Sequence, residues 1–264
     1  MSNYVNNISI HGLMNRFAFI DEDSPTLSFY KTRNKKKITI CGTRLDEEKE
    51  KEFTQINYMY LEDQPPLKGA YSKNNVLSYI DSGFFTGMVG NKYRGIRHAV
   101  NHCKDKIRVE RLSIENLDDV LEMIEKWRYD EYSGLKYGWQ EHAGIDKALV
   151  TKIVNGQADL SLFGIVFYYN DECVAYATSS YLYKTENEIP EFHYITRKVW
   201  CGCGLKHLTE FVDWYMFKTL YGIVEKDFIV NWGCSDGGVY WYKTHKWPLY
   251  KLDKKWFVTI KNKV

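Results

Sequence analysis

The sequence predicts an α+β fold in which helices flank a mixed central sheet. Three observations predict it. Residues 1–83 carry short β-branched and aromatic runs separated by turn residues. Several later segments repeat apolar residues at helical spacing. From Ile107 onward the two kinds alternate in the order β-α-α-β-β-β-α-β-α-β. At 264 residues, with 44% hydrophobic and 16% aromatic, the chain can fill one large core or two small ones.

The elements follow in order. ISIHGL, TLSFYKT, KKITICG and QINYMYLE read as strands, and the charged run Asp46–Glu52 as a solvated helical face or loop. In GNKYRGIRHAVNHCK (90–104), Tyr93, Ile96, Val100 and Cys103 form one apolar stripe of a helix. Arg94, Arg97, His98 and Asn101 form a second, cationic face of that helix. KIRVERL is a strand, and Asn116 is expected to cap a helix with Leu117, Val120, Leu121, Ile124 and Trp127 buried. A second helix runs from about Ile145 to Val154 and stops at Asn155-Gly156. SLFGIVFYY and CVAYATSSYLY flank a turn at Asn170-Asp171-Glu172, which makes a hairpin. EFHYITRK is the next strand. After Gly202-Cys203-Gly204 comes a long helix from about Leu205 to Tyr221, then strand KDFIVNW, short helix GGVYWYKTHK and a last strand KKWFVTI.

Several function classes are disfavoured at this stage. VNWGCSDGG (230–238) contains G-x-S-x-G, the syntax of a nucleophile elbow. A hydrolase of that kind needs an acid and then a histidine after the serine, but Ser235 is followed by His245 and then Asp253, with only 29 residues left. Cys201-x-Cys203 with His207 lacks a second ligand pair beyond Cys234, so no metal is expected, and the six cysteines read as reduced thiols. No apolar run reaches a membrane span and no leader is evident, so a cytoplasmic protein without a membrane partner is expected.

The formal charge of +2 is unevenly spread. Tyr30–Lys37 holds five cations and no acid, and Tyr242–Val264 holds seven lysines against one aspartate. Such lysines either protect sheet edges or form a polyanion-binding surface.

The element order from 107 to 264 is similar to that of the GNAT superfamily of acyltransferases, whose two central strands splay apart and hold the donor. Particular residues resemble a narrower group. Gly90-x-Lys92, Arg97 and Asn101, then VERLSIENLDDVLEMIEKW, Asn231 with Asp236-Gly237-Gly238, and Lys243 with Pro248 resemble the C-terminal domain of phosphatidylglycerol lysyltransferases. That group is related to the Fem-type aminoacyltransferases. The resemblance runs from about residue 84 to the end and implies a tandem GNAT-like fold, divided here as 1–104 and 105–264. It also implies transfer of an acyl or aminoacyl group to an amine or hydroxyl, with acyl-CoA or aminoacyl-tRNA as co-substrate.

Two departures qualify it. His98 stands where the family has asparagine, and the family's membrane domain has no counterpart, so a lipid acceptor is not expected. Gly202 and Gly204 half match a coenzyme A loop, because Val199 occupies the position of its first polar residue. They could equally ease a strand-to-helix turn.

The resulting candidates are His193, Asp236 and Glu191 for proton handling, and Lys92, Arg94, Arg97, Asn101, Asn231, Ser235 and Lys243 for substrate. Gly202 and Gly204 would hold a cofactor. The expected partners are a nucleic acid, DNA or tRNA, and a small amino acid. The chain also resembles enzymes that attach amino acids to modified thymines in bacteriophage DNA. A reading of another class is a non-catalytic nucleic-acid-binding module on the same fold.

Overall fold

The computed structural model describes residues 18–19, 28–33, 36–41, 47–61, 68–129, 139–155, 162–184, 189–234 and 237–261. In chain order these form β1 (Ala18–Phe19), β2 (Ser28–Arg33), β3 (Lys36–Cys41), α1 (Glu47–Lys51), β4 (Gln55–Leu61), β5 (Tyr71–Ile80), α2 (Ser82–Thr86) and α3 (Arg94–Cys103). Then come β6 (Ile107–Arg111), α4 (Leu117–Tyr129), α5 (Trp139–Val154), β7 (Leu162–Tyr169), β8 (Glu172–Lys184) and β9 (Pro190–Val199). The chain closes with α6 (Leu208–Val224), β10 (Phe228–Cys234), α7 (Gly237–Lys246) and β11 (Leu249–Lys261). The order expected from Ile107 onward is the order found. The strand expected at ISIHGL lies outside the described residues.

The chain divides into two compact units: residues 1–76, 234–240 and 251–264 in one, 77–233 and 241–250 in the other. In the first, β1 pairs antiparallel with β2, β2 antiparallel with β3, β3 parallel with β4, and β4 antiparallel with β11. Phe53, Ile56, Val76 and Val258 are buried in it. Tyr71 stacks on Phe257 with ring centroids 5.6 Å apart.

In the second unit β6, β7, β8 and β9 are successively antiparallel, and β9 runs parallel to β10. The β7–β8 turn is tight because Asn170 and Asp171 both take positive φ, 51° and 62°, which matches the right-handed twist of the hairpin strands. Amphipathic α4 and α5 cover one face. Val120, Met123, Ile124 and Trp127 of α4, with Ala143 and Val150 of α5, pack on Val166, Tyr168 and Tyr176. Helix α6 covers the other face, and it is apolar on almost every side, with Phe211, Val212, Met216, Phe217 and Leu220 buried. Helix α3 packs against it through Ile96, Ala99, Val100 and Cys103. Three of these belong to the stripe read from the sequence.

Two helix starts differ from expectation. The cap before α4 is Ser113, not Asn116, and the two residues form a reciprocal capping box. The Asn116 amide oxygen accepts from the Ser113 N–H at 2.9 Å, and its amide nitrogen donates to the Arg111 carbonyl at 2.9 Å. A short polar turn thus precedes the helix, and Asn116 serves from inside it. Helix α5 begins at Trp139, six residues before the predicted start at Ile145. Its weak amphipathic pattern hid the first turns.

Candidate functional site

Strands β9 and β10 pair only where Glu191, Phe192 and His193 face Ile229, Val230 and Asn231. Beyond that point β9 continues to Val199 and β10 to Cys234, with no further pairing between them among the described residues. The sheet therefore splays after His193 and Asn231, and its two faces there differ.

The α6 face of the splay is filled. Tyr194 and Trp232, the residues just past the last pair, bring their rings to 5.2 Å, and Phe217 and Trp247 lie 5.1 and 5.8 Å from Trp232. Behind this wedge sits Asp213 on α6, fully buried. Its carboxylate accepts from the Tyr194 hydroxyl at 2.7 Å and the Tyr242 hydroxyl at 2.8 Å, and pairs with the Arg197 guanidinium. Burial pushes the Asp213 carboxyl above its ordinary range, against the opposing pull of Arg197 and the two hydroxyls. Burial also pushes the Tyr194 and Tyr242 phenols far up, and Asp213 adds to this. The Trp232 indole donates to Ser78 at 2.8 Å, so no polar atom of the ring is stranded.

The opposite face is polar. Side chains alternate along a strand, so His193 and Asn231 point away from Tyr194 and Trp232. Ser180 of β8 is the register partner of His193, which sets Ser180, His193 and Asn231 abreast across three strands. One step along, Glu191 is 2% exposed and accepts from the Asn231 amide at 3.1 Å. The Asn231 oxygen accepts from the Gly233 N–H at 3.0 Å, so its orientation is fixed from both ends. Gly233 takes φ 71°, and a Cβ there would lie 3.7 Å from the His193 Nε2, so the imidazole edge faces bare backbone. Lys243 reaches the same strand end and donates to the Trp232 carbonyl at 2.7 Å. The hydroxyls of Ser180 and of Thr178, one pleat away, are buried without a hydrogen-bond partner among the described residues. Stranded hydroxyls of this kind are rare in folded chains and mark places where a ligand or water completes the bonding.

The residues predicted for proton handling and substrate thus fall into four groups. Glu191, His193, Asn231 and Lys243 converge at the splay. Lys92, Arg94 and Asn101 are exposed on α3 and the turn before it. Arg97 bends back to donate to the Met88 and Gly90 carbonyls and so anchors the loop ahead of its own helix. Ser235 and Asp236 lie outside the described residues.

Gly202 and Gly204 sit in a single 3₁₀ turn before α6. A Cβ on Gly202 would meet the Trp200 indole at 2.5 Å, and Gly204 takes φ 73°. Both glycines are therefore demanded by the turn itself. Next to it the rings of His98, His102 and His207 gather, with centroids 4.7 to 6.2 Å apart. His102 is held below the ordinary imidazole range by desolvation and by nearby Lys106.

Among the described residues no group of His, Cys, Asp or Glu could hold a metal ion. No described helix is long and apolar enough to cross a membrane. Of the thiols, Cys103 and Cys173 are buried, which pushes them up to about 11 and about 12 and keeps them protonated.

Ser180, Thr178 and the Tyr194–Asp213–Arg197–Tyr242 network escaped the sequence reading. Only the Thr178-Ser179-Ser180 run in the middle of β8 could have pointed to the first two of them.

No protein-family profile and no curated protein matches the sequence. Solved structures do resemble the fold. A conserved protein of unknown function from Bacteroides thetaiotaomicron VPI-5482 matches with a TM-score of 0.64 and 13% identity, over 96% of this chain and 89% of its own. L-PGS from Bacillus licheniformis matches with a TM-score of 0.59 and 12% identity, over 96% of this chain and 89% of its own. FemX matches with a TM-score of 0.55 and 10% identity, over 94% and 90%. The chain accordingly has the α+β fold that its sequence predicts, a mixed sheet flanked by helices, and shares it with L-PGS and FemX.

Proposed function

We propose that the chain is a transferase that moves an aminoacyl group from a charged tRNA onto an amine or hydroxyl acceptor. One observation carries this reading: the splay between β9 and β10 is wedged shut by Tyr194 and Trp232 on its α6 face, while its other face presents Ser180, His193 and Asn231 abreast. A donor threaded through the splay from the α6 side, as a coenzyme A arm would be, collides with the wedge. A donor ester brought to the polar face meets none of these rings. The fold shared with L-PGS and FemX supports the same reaction class.

In the reaction the acceptor nitrogen or oxygen attacks the ester carbonyl. A new C–N or C–O bond forms, the bond to the ribose oxygen breaks, and the acceptor's proton must leave. His193, half-buried with Nε2 toward Gly233, takes that proton and returns it to the departing ribose oxygen. Asn231, held by Glu191, presents its amide toward the developing charge on the carbonyl oxygen. Direct transfer needs no acylated serine. The exposed Lys92, Arg94 and Asn101 would meet the phosphates of the donor.

The test incubates the purified chain with tRNA charged with radiolabelled amino acids, in parallel with labelled acetyl-CoA, and follows transfer to lysine, glycerol and DNA acceptors. Transfer from charged tRNA, lost in His193→Ala, is the expected result. Transfer from acetyl-CoA alone overturns the choice of donor. Binding of nucleic acid without transfer from either donor leaves a binding module and overturns the reading as an enzyme.

A further inference from the structure

Away from the polar row, the second unit holds a cavity of about 760 Å³ on the α6 face of its sheet. Its walls are Phe163 and Ile165 of β7, Tyr181 of β8, Phe192 of β9, and Ile223 and Val224 at the C-terminal end of α6. Phe192 is the neighbour of His193 along β9 and points to the opposite face, so the cavity and the polar row are separated by the thickness of the sheet. Tyr181 and Phe192 meet edge to face at 5.5 Å and form a firm wall. Thr219 also reaches the cavity. The remaining polar lining is two cations, Arg111 and Lys226. Both are exposed, and neither has an ion-pair partner among the described residues. Among the described residues no acid lines this cavity; Glu225 and Asp227 line a separate pocket that shares Pro190 and Lys226 with it.

Cavities of several hundred Å³ with apolar walls and a few convergent polar groups are the usual form of small-molecule sites. An apolar wall selects an apolar body, and two cations without an ion-pair partner among the described residues select an anionic head. We propose that this cavity is a binding site for an amphiphilic carboxylate, with its hydrocarbon against Phe163, Ile165 and Phe192 and its carboxylate held by Arg111 and Lys226. Such a ligand would brace the start of β9 and the end of α6, the two elements that carry Glu191 and Asp213.

Dodecanoate is the probe, followed by isothermal titration calorimetry at two temperatures on the full chain. The expected result is saturable binding of one molecule per chain with a negative heat-capacity change, since apolar surface is buried. Dodecyltrimethylammonium, with the same tail and the opposite charge, is expected to bind at least tenfold more weakly. The double variant Arg111→Glu/Lys226→Glu should lose at least tenfold in dodecanoate affinity. Ile223→Trp should abolish binding by filling the mouth, and because Ile223 is 58% exposed the fold tolerates it. Binding of both amphiphiles with equal affinity, retention of affinity in Ile223→Trp, or no binding at all would each overturn the proposal. The measurement reads binding alone and is independent of any transferase activity.

Discussion

Replacing Asp213 by alanine tests whether the wedge in the splay rests on its buried carboxylate. The substitution removes the common acceptor of the Tyr194 and Tyr242 hydroxyls and the anion beside Arg197. Removing one partner of a buried ion pair costs about 3–5 kcal/mol, because the remaining charge stays in a poorly solvating place. The two lost hydroxyl bonds belong to the same network and do not add in full to that figure. Against a typical total stability of about 5–15 kcal/mol, the variant should lose a large share of its folding free energy. Urea unfolding at 25 °C, read by tryptophan fluorescence near Trp232, measures it, and an unchanged slope shows that the unfolded state is comparable. The double variant Asp213→Leu/Arg197→Met leaves no charge behind and should recover to within about 2 kcal/mol of the parent. A single variant that loses less than about 1 kcal/mol, or a double variant as unstable as the single, would refute the argument.

Four other outcomes follow from the geometry. His193→Ala should slow aminoacyl transfer by about 10²-fold or more with little change in melting temperature, whereas Ser180→Val, which removes a buried hydroxyl without a partner, should leave stability unchanged or raised while weakening acceptor binding; a Ser180→Val variant with full transfer would remove it from the site. The Tyr79 phenol is pushed up to about 12 by its hydrogen bond to Asp227, with burial second. The folded chain keeps that proton above the ordinary tyrosine range, so the stability it contributes is complete below about pH 10 and is lost as pH rises through 12. Discounted for solvent screening, parent and Tyr79→Phe should differ by about 1 kcal/mol in their losses between pH 9 and pH 12 in urea titrations, and equal losses would contradict the assignment. Gly164→Ala places a Cβ 2.8 Å from Leu112 and should cost about 1–3 kcal/mol by overpacking; a neutral result would mean that Leu112 has room to turn.

The C-terminal elements are legible in the sequence because each announces itself locally. The stripe of α4, the Asn170-Asp171 turn and the glycines before α6 need no knowledge of the rest of the fold. Strand β5 is less legible, since YSKNNVLSYI is largely polar and its burial of Asn75 and Ser78 is settled only by what packs on it. The same holds for the site. Glu191, His193 and Asn231 stand out as polar residues at strand ends. Asp213 looks like any acid on a helix until Tyr194 and Arg197 of β9 and Tyr242 of α7 are folded onto it. Arg97 reads as a surface cation, yet its nearest acceptors are carbonyls of its own preceding loop, which no side-chain periodicity can reveal.

Strand β11 has a consequence for how the chain is made. Lys255–Lys261 pair antiparallel with Gln55–Leu61, so β4 finds a neighbour far along the sequence. During synthesis the second unit can collapse as its helices and strands emerge, while the first waits with an open edge until β11 has been made. Pairing across so long a stretch of sequence is slow, because the loop must close before any contact rewards it. A nascent chain stalled before Leu249 would therefore expose β4 as a template for foreign strands.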